Sequence, residues 1–286
     1  PRKGGSPRAA GAAGGGRSFR SVGQIRMAWG SVQEATSILA ALNYLGARNA
    51  TVEEAGLQPL EALCEEELSD LLEGLPPIGA SPDGCRTAAH PRPVVLRPVD
   101  RPPALVGRRF SLARCLIITM PSLARRIVRW ADGSIEPFEV KNHAPFGSNY
   151  RARTDEGAPP FEVRDPGPYD EIAVWHVPQL YLHMLCLGDA CTSALFMSCS
   201  ATKGANLFRL RRDTQLMHLI LRFVARFADE YGPGQPPPES DYFWGDPAYD
   251  ELLDGLTRAS HGHVELVARI PDSEVQRGRA GPFFSS

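Results

Sequence analysis

The chain has 286 residues, of which 43% are hydrophobic and 22% are charged, and its formal net charge is −2. These values fit a globular protein with a substantial core, and the near-neutral charge gives no global signature of nucleic-acid binding. No apolar run approaches the roughly 20 residues that a membrane-spanning helix requires, which excludes a transmembrane helix. The six cysteines include no CxxC pair and lie mostly in apolar surroundings, which is typical of reduced thiols in an intracellular protein.

The composition divides the chain into three parts. Residues 1–24 are rich in Gly, Ala and Arg without an acidic residue, and we expect them to be disordered. Such a segment also resembles an organellar transit peptide, so an organelle and the nucleus both stay open as locations. We expect the main domain at 25–231. Residues 232–286 are predicted to be a Pro-rich linker, a short helix at 247–257 and a polar C-terminal tail.

The predicted elements follow from hydrophobic spacing. Apolar residues three and four apart predict helices, and short apolar runs between turn residues predict strands. In chain order they are helices at 26–46 and 59–73, an apolar segment of ambiguous type at 110–120, a β-hairpin at 127–140 around Asp132-Gly133, a polar loop at 142–170, a helix at 178–187, strands at 192–200 and 206–212, and a helix at 214–231. This alternation indicates an α/β protein with a mixed sheet and flanking helices.

Two short motifs carry candidate chemistry. Asp83 lies in Ser81-Pro82-Asp83-Gly84, and Glu139 and Lys141 flank Val140. Lysine is rare in this chain, because only 3 of the 31 basic residues are lysine and the other 28 are arginine. Lysine can be tuned by its surroundings, whereas arginine always keeps its proton. A lysine two residues after a glutamate therefore indicates a chemical role.

The residue types suit hydrolysis of a phosphodiester. Mg²⁺ prefers carboxylate and carbonyl oxygens, so Asp83, Glu139 and the Val140 backbone carbonyl are candidate ligands. In a strand, Glu139 and Lys141 point the same way, and we expect Lys141 to position or deprotonate the attacking water or to stabilise developing charge. Taken singly, the first motif is also a good turn sequence and the second an ordinary strand pair. His143 and His183 are interpreted as structural or surface residues.

In combination, the strings G-A-S-P-D-G and E-V-K-N resemble the active-site core of the PD-(D/E)XK nucleases, and within them the lambda-exonuclease or YqaJ-type viral recombinase group. Two further segments, Trp29 to Glu34 and Val177 to Met184, resemble the family's helices before and after these motifs. The four segments stand in the family's order and span about residues 26–230. The resemblance implies a restriction-endonuclease-like core, with a central mixed β-sheet flanked by helices.

The resemblance also implies an activity and a set of residue roles. The activity is that of a Mg²⁺-dependent, exonuclease-like DNA nuclease of recombination and repair, with Mn²⁺ as a substitute metal. The catalytic residues would be Asp83, Glu139 and Lys141, with Gln179 orienting Lys141 or the water and Glu34 as an extra acidic residue near the metal. Glu34 could instead close a capping box with Ser31. The implied partners are DNA, further copies of the chain and a recombination protein.

Two points depart from the family or stay open. A Pro- and Arg-rich insertion over 85–125 separates Asp83 from Glu139. It could cover the DNA channel, contact a partner or be an artefact of the gene model. The entropic cost of closing a loop grows slowly with loop length, so an insertion of this size is tolerable. A structure-specific or restriction-like endonuclease, or a catalytically retired nucleic-acid-binding module, are the alternative functions. The basic residues proposed for nucleic-acid contact are Arg125, Arg126, Arg209 and Arg211.

Overall fold

A computed structural model describes residues 22–54, 58–59, 79–80, 126–149, 161–230, 243 and 245–279. The predicted segment at 110–120, the insertion at 85–125 and nearly all of the predicted helix at 59–73 lie outside the described residues. The described helices are α1 (Val22–Gly46), α2 (Val177–Cys186), α3 (Thr214–Glu230), α4 (Pro247–Gly262) and α5 (Asp272–Arg279). A short 3-10 helix, Val174–His176, leads directly into α2. None of the described helices is long and apolar enough to cross a membrane.

The strands form one central sheet and two small ribbons. They are β1 (Thr51–Glu54), β2 (Gln58–Pro59), β3 (Gly79–Ala80), β4 (Arg126–Arg129), β5 (Ile135–Asn142), β6 (Phe146–Ser148), β7 (Phe161–Val163), β8 (Ser193–Cys199), β9 (Ala205–Arg211) and β10 (Val264–Ile270). The central sheet has six strands in the order β1-β4-β5-β8-β9-β10, and the ribbons are β2-β3 and β6-β7. The β5–β8 pair is parallel and the other pairs are antiparallel, so the sheet is mixed as predicted.

The predicted hairpin is confirmed as β4 and β5, joined by a tight turn. Gly133 adopts a φ of +86°, a conformation that favours glycine. The Asp132 carboxylate accepts hydrogen bonds from the backbone N and the Oγ of Ser134, at 2.9 and 2.6 Å. Trp130 N donates to Ser134 O at 2.9 Å and closes the turn. The turn fixes the register in which Phe138 pairs with Arg126.

Helices cover both faces of the sheet. On one face Phe138, Leu195 and Leu207 pack with Leu45 of α1 and Val275 of α5. On the other, Phe196, Phe208 and Leu210 pack with buried residues of α2, α3 and α4. Because side chains alternate along a strand, Glu139 and Lys141 point away from the α1 face and toward the face that α2 covers. Alternation along β5 thus decides on which side of the sheet the candidate chemistry lies.

The predicted polar C-terminal tail is wrong. The chain returns as β10, which pairs with β9, and then as α5, which packs against α1. The sheet therefore does not end at the boundary predicted near 231. Strand β10 lies at the edge of the sheet, and its exposed Glu265 and Arg269 make its sequence resemble a polar tail. The segment predicted as a loop at 142–170 likewise contains β6 and β7, and α4 extends five residues past the predicted end at 257.

Candidate active site

The structure brings three of the predicted site residues together. Lys141 Nζ forms an ion pair with Glu139 Oε1, and the Gln179 side chain hydrogen-bonds to the same carboxylate. Glu139 and Gln179 are buried, with 8% and 1% of their surface exposed, while Lys141 is half-buried. Gln179 lies in the first turn of α2, whose start is favoured by Pro178. A lysine and a carboxamide therefore hold one buried carboxylate at the centre of the sheet.

Burial and charge act in opposite directions on Glu139. Burial raises the pKa of the Glu139 carboxyl, while the Lys141 ammonium and the Gln179 hydrogen bond act to lower it. The charge of Glu34 also acts to raise this pKa, which shows that Glu34 lies close enough to be felt electrostatically. The charged form of Glu139 is thus desolvated and depends on its cationic partner. A second cation could stabilise it further.

Two histidines flank Lys141 from the same side. His176 and His183 stand three residues before and four residues after Gln179, a spacing that places all three on one side of a helix. Burial and the Lys141 charge lower the pKa of each imidazole to about 3. Both rings are therefore neutral at physiological pH. His183 is buried, in agreement with its interpretation as a structural residue. The position of His176 near Lys141 was not predicted, and its spacing of three residues from Gln179 is the signal that could have indicated it.

Glu34 approaches from the other side of the sheet. Its Oε1 accepts from Arg126 Nη1 at 3.1 Å. Helix α1 is tied to the end of β5 by Asn142, whose Oδ1 accepts from Ser37 Oγ at 2.5 Å. The alternative capping box is wrong, because α1 begins at Val22 and Ser31 is an internal residue whose hydroxyl donates to the Met27 carbonyl at 3.2 Å. Glu34 is therefore an interior helical residue near the site.

Asp83 lies outside the described residues. The last described residue before it is Ala80, in β3, and β3 contacts α2, the helix that carries Gln179. For Val140, the register gives Met197 of β8 as its neighbour on one side. Among the described residues, β4 pairs with β5 only up to Phe138. Beyond Phe138, the main-chain groups on this side of β5 have no pairing partner in the described part of β4.

The arginines predicted to contact nucleic acid differ in exposure where the structure describes them. Arg126 is buried in its ion pair with Glu34, and Arg209 is paired with the buried Glu136 through Nε at 2.7 Å. Each of these two guanidiniums is engaged by a carboxylate, and Arg209 keeps 26% of its side chain exposed. Arg211 is 73% exposed, with Glu265 at 3.7 Å. Arg125 lies outside the described residues.

The described residues do not by themselves supply a complete set of metal-ligating side chains. Within the described ranges no group of three or more His, Cys, Asp or Glu side chains could hold a metal, and Cys186, Cys191 and Cys199 form no disulfide with one another. Burial raises the pKa of the Cys191 thiol to about 12, so it stays protonated and is a poor ligand. Carboxylate and carbonyl oxygens around β5 are instead the donor types that Mg²⁺ prefers.

Comparisons with protein-family models, with curated proteins and with solved structures find no match to this chain.

Proposed function

We propose that this chain is a Mg²⁺-dependent DNA nuclease that hydrolyses phosphodiester bonds in recombination or repair. The observation that carries the proposal is the cluster of Glu139, Lys141 and Gln179. A buried carboxylate, a lysine and a carboxamide on a central strand and its covering helix are suited to bind a cation and a phosphate together. Perturbed, buried ionisable groups of this kind concentrate at functional sites.

The fold also supports the proposal. A mixed central sheet flanked by helices agrees with the restriction-endonuclease-like core that the motif resemblance implies. The segments carrying Glu34, Glu139 and Gln179 occur in the family's order and lie around one strand. The strand that ends at Ala80, the last described residue before Asp83, contacts α2.

The residues present fit the implied metal. Asp83, Glu139 and the Val140 carbonyl would hold Mg²⁺, with Glu34 nearby, and the same oxygens would accept Mn²⁺. When bound, the ion supplies neutralisation of phosphate charge and a lower pKa for its water. The raised pKa of Glu139 fits this role, because a desolvated carboxylate gains more from a second cation than an exposed one does.

The chain's own side chains would position and stabilise. Lys141 lies beside Glu139 with two further ammonium N–H groups, which can hold the attacking water or a non-bridging phosphate oxygen. Gln179 fixes the carboxylate from the α2 side. The neutral His176 and His183 surround Lys141 with polarisable rings that add no competing positive charge.

A cleavage assay tests the proposal. End-labelled linear duplex and closed circular DNA are incubated with the protein in Mg²⁺ or in EDTA, alongside Asp83→Ala and the matched control Asp254→Ala, an exposed carboxylate on α4. We expect Mg²⁺-dependent cleavage by the wild type and the control and none by Asp83→Ala. Stepwise loss of linear DNA alone indicates an exonuclease, and nicked circles indicate the endonuclease alternative. Binding of DNA without cleavage would leave only the retired nucleic-acid-binding module.

The partners implied by the resemblance extend this proposal. An exonuclease of recombination would act together with further copies of itself and with a recombination protein that receives the single strand. Size-exclusion chromatography with light scattering, with and without DNA, measures the first of these.

A further inference from the structure

A second cleft opens at the same end of the sheet as the candidate active site. Its volume is about 400 Å³. Its walls are the loop 166–168, the turn that carries Lys203, and the junction between β10 and α5 at 269–271. Its charged lining residues are Lys203, Arg269 and Asp170.

The strand register connects this cleft to Lys141. Lys141 pairs with Ser198, Ser198 with Asn206, and Asn206 with Arg269. Directly paired residues on neighbouring strands point to the same face, so these four side chains form one row. Three strand spacings of about 4.8 Å separate the two ends of the row, which places the cleft roughly 14 Å from Lys141. Asn206 and Arg269 line the cleft itself.

The walls of the cleft are held in place by the backbone. Gly204 has a φ of +79°, and a Cβ at this position would lie 2.2 Å from the Ile270 carbonyl oxygen, so the β8–β9 turn packs directly on the end of β10. The Asp165 carboxylate accepts from the N and Oγ1 of Thr202, at 3.1 and 2.6 Å, and from Gly167 N at 3.1 Å. These bonds join the 165–168 loop to the same turn, so a ligand would meet a preformed site.

The cations of the cleft are arranged to meet an anion. Lys203 packs its Cδ 3.4 Å from the position a Cβ would take on Gly167, and its Nζ donates to the Asp165 carbonyl at 2.7 Å. The Lys203 ammonium has two further N–H groups, which this hydrogen bond does not use. Arg269 is exposed and carries up to five donors. Asp170 is the one carboxylate among the residues that line the cleft.

We propose that this cleft binds a backbone phosphate of the substrate strand, a few nucleotides away from the phosphate at Lys141. The inference rests on the proposed nuclease function and adds a second point of attachment. One strand of duplex advances about 3.4 Å along the helix axis per nucleotide, and successive phosphates are farther apart than this because the strand winds around the axis; roughly 14 Å therefore corresponds to fewer than about four nucleotides. Contacts of this kind set the position of the strand and carry no base specificity.

Binding and cleavage are measured separately to test the cleft. Fluorescence anisotropy of a labelled oligonucleotide duplex is recorded in EDTA over a salt series for the wild type, Lys203→Gln/Arg269→Gln and Arg269→Gln. The control pair is Arg48→Gln/Arg129→Gln, which removes two exposed charges at the opposite end of the sheet. Steady-state cleavage in Mg²⁺ runs in parallel. Thermal denaturation verifies folding, and Arg269→Gln is the variant that disturbs no described hydrogen bond.

The expected results differ in sign between variants. The double variant should bind at least about tenfold more weakly, with a salt slope smaller by about one and a raised KM at unchanged kcat. Asp170→Asn should bind more tightly, since it removes the negative charge from the lining. Wild-type affinity and KM in the double variant would overturn the cleft proposal. Weakened binding by the double variant, with no cleavage by any form, would retain the cleft and reject the nuclease. Absence of both binding and cleavage in the wild type would reject both.

Discussion

Replacing Arg209 with glutamine should destabilise the protein without altering any nucleic-acid contact. Glu136 has only 4% of its side chain exposed and accepts from Arg209 Nε at 2.7 Å and Nη2 at 3.1 Å. Trp130 Nε1 and Ser193 Oγ donate to the same carboxylate at 2.6 and 2.5 Å. Arg209→Gln therefore removes the cation while the buried carboxylate stays.

The size of the effect follows from the burial of the two partners. Removing one partner of a fully buried pair costs about 3–5 kcal/mol. Arg209 is 26% exposed, so water can reach the vacated space, and Trp130 and Ser193 still donate. We therefore expect a loss of about 2–3 kcal/mol in the free energy of unfolding, at or below the bottom of the range for a fully buried pair. For a protein of this size that is a fall in Tm of roughly 4–12 °C.

Urea denaturation and thermal denaturation measure this loss. Arg211→Gln is the matched control on the same strand, because its guanidinium is 73% exposed and its partner lies at 3.7 Å; its free energy of unfolding should change by about 0.5 kcal/mol or less. Glu136→Gln together with Arg209→Met should recover much of the loss, since no charge is left buried. An Arg209→Gln protein of wild-type stability that binds DNA more weakly would refute the buried-pair assignment.

Three further predictions concern the framework of the site. Asn142→Leu removes the hydrogen bonds that tie β5 to α1, so Glu34 loses its position and the cleavage rate should fall while circular dichroism is unchanged. Gly204→Ala places a Cβ against the Ile270 carbonyl at positive φ, and should lower the free energy of unfolding by about 1–3 kcal/mol. Glu139 has a pKa above its ordinary 4.5, so its contribution to stability is fully present below pH 4.5 and lost as pH rises through the folded-state pKa; Glu139→Gln should flatten that part of the pH–stability curve.

Each of these has an opposing outcome. A wild-type cleavage rate for Asn142→Leu would mean that the hydrogen bonds between α1 and β5 have no influence on catalysis. Gly204→Ala at wild-type stability would contradict the close packing of the turn on β10. A pH–stability curve of Glu139→Gln that parallels the wild type above pH 4.5 would mean that burial of this carboxyl has no energetic consequence.

Much of the fold follows from local signals in the sequence. The Asp132-Gly133 turn and the apolar runs beside it are sufficient to predict β4 and β5. Pro178 and Gly188 near its two ends predict helix α2. Strand β10 was not predictable in this way, because an edge strand with exposed Glu265 and Arg269 gains its identity from pairing with β9. Its formation depends on contacts with residues some sixty positions earlier in the chain.

The candidate site shows the same division. That Glu139 and Lys141 share a face follows from strand alternation alone, and their ion pair agrees with it. The ion pairs of Arg126 and Arg209 could not be inferred, because their partners Glu34 and Glu136 lie 92 and 73 residues away. An arginine without a known partner is expected to be exposed, because charged residues are seldom buried unless paired. The partners of these two arginines come close to them only when the sheet packs.

The single-turnover cleavage rate of Lys141→Met is the sharpest test of whether Glu139, Lys141 and Gln179 form a nuclease site. With protein in excess over labelled DNA and saturating Mg²⁺, we expect cleavage by the wild type and a rate at least about 100-fold lower for Lys141→Met, because the water or phosphate loses its ammonium partner. DNA binding in EDTA and the folded circular dichroism spectrum should stay close to the wild type. Equal rates for the two proteins, or no cleavage by the wild type, would contradict the assignment of Glu139, Lys141 and Gln179 as a nuclease site.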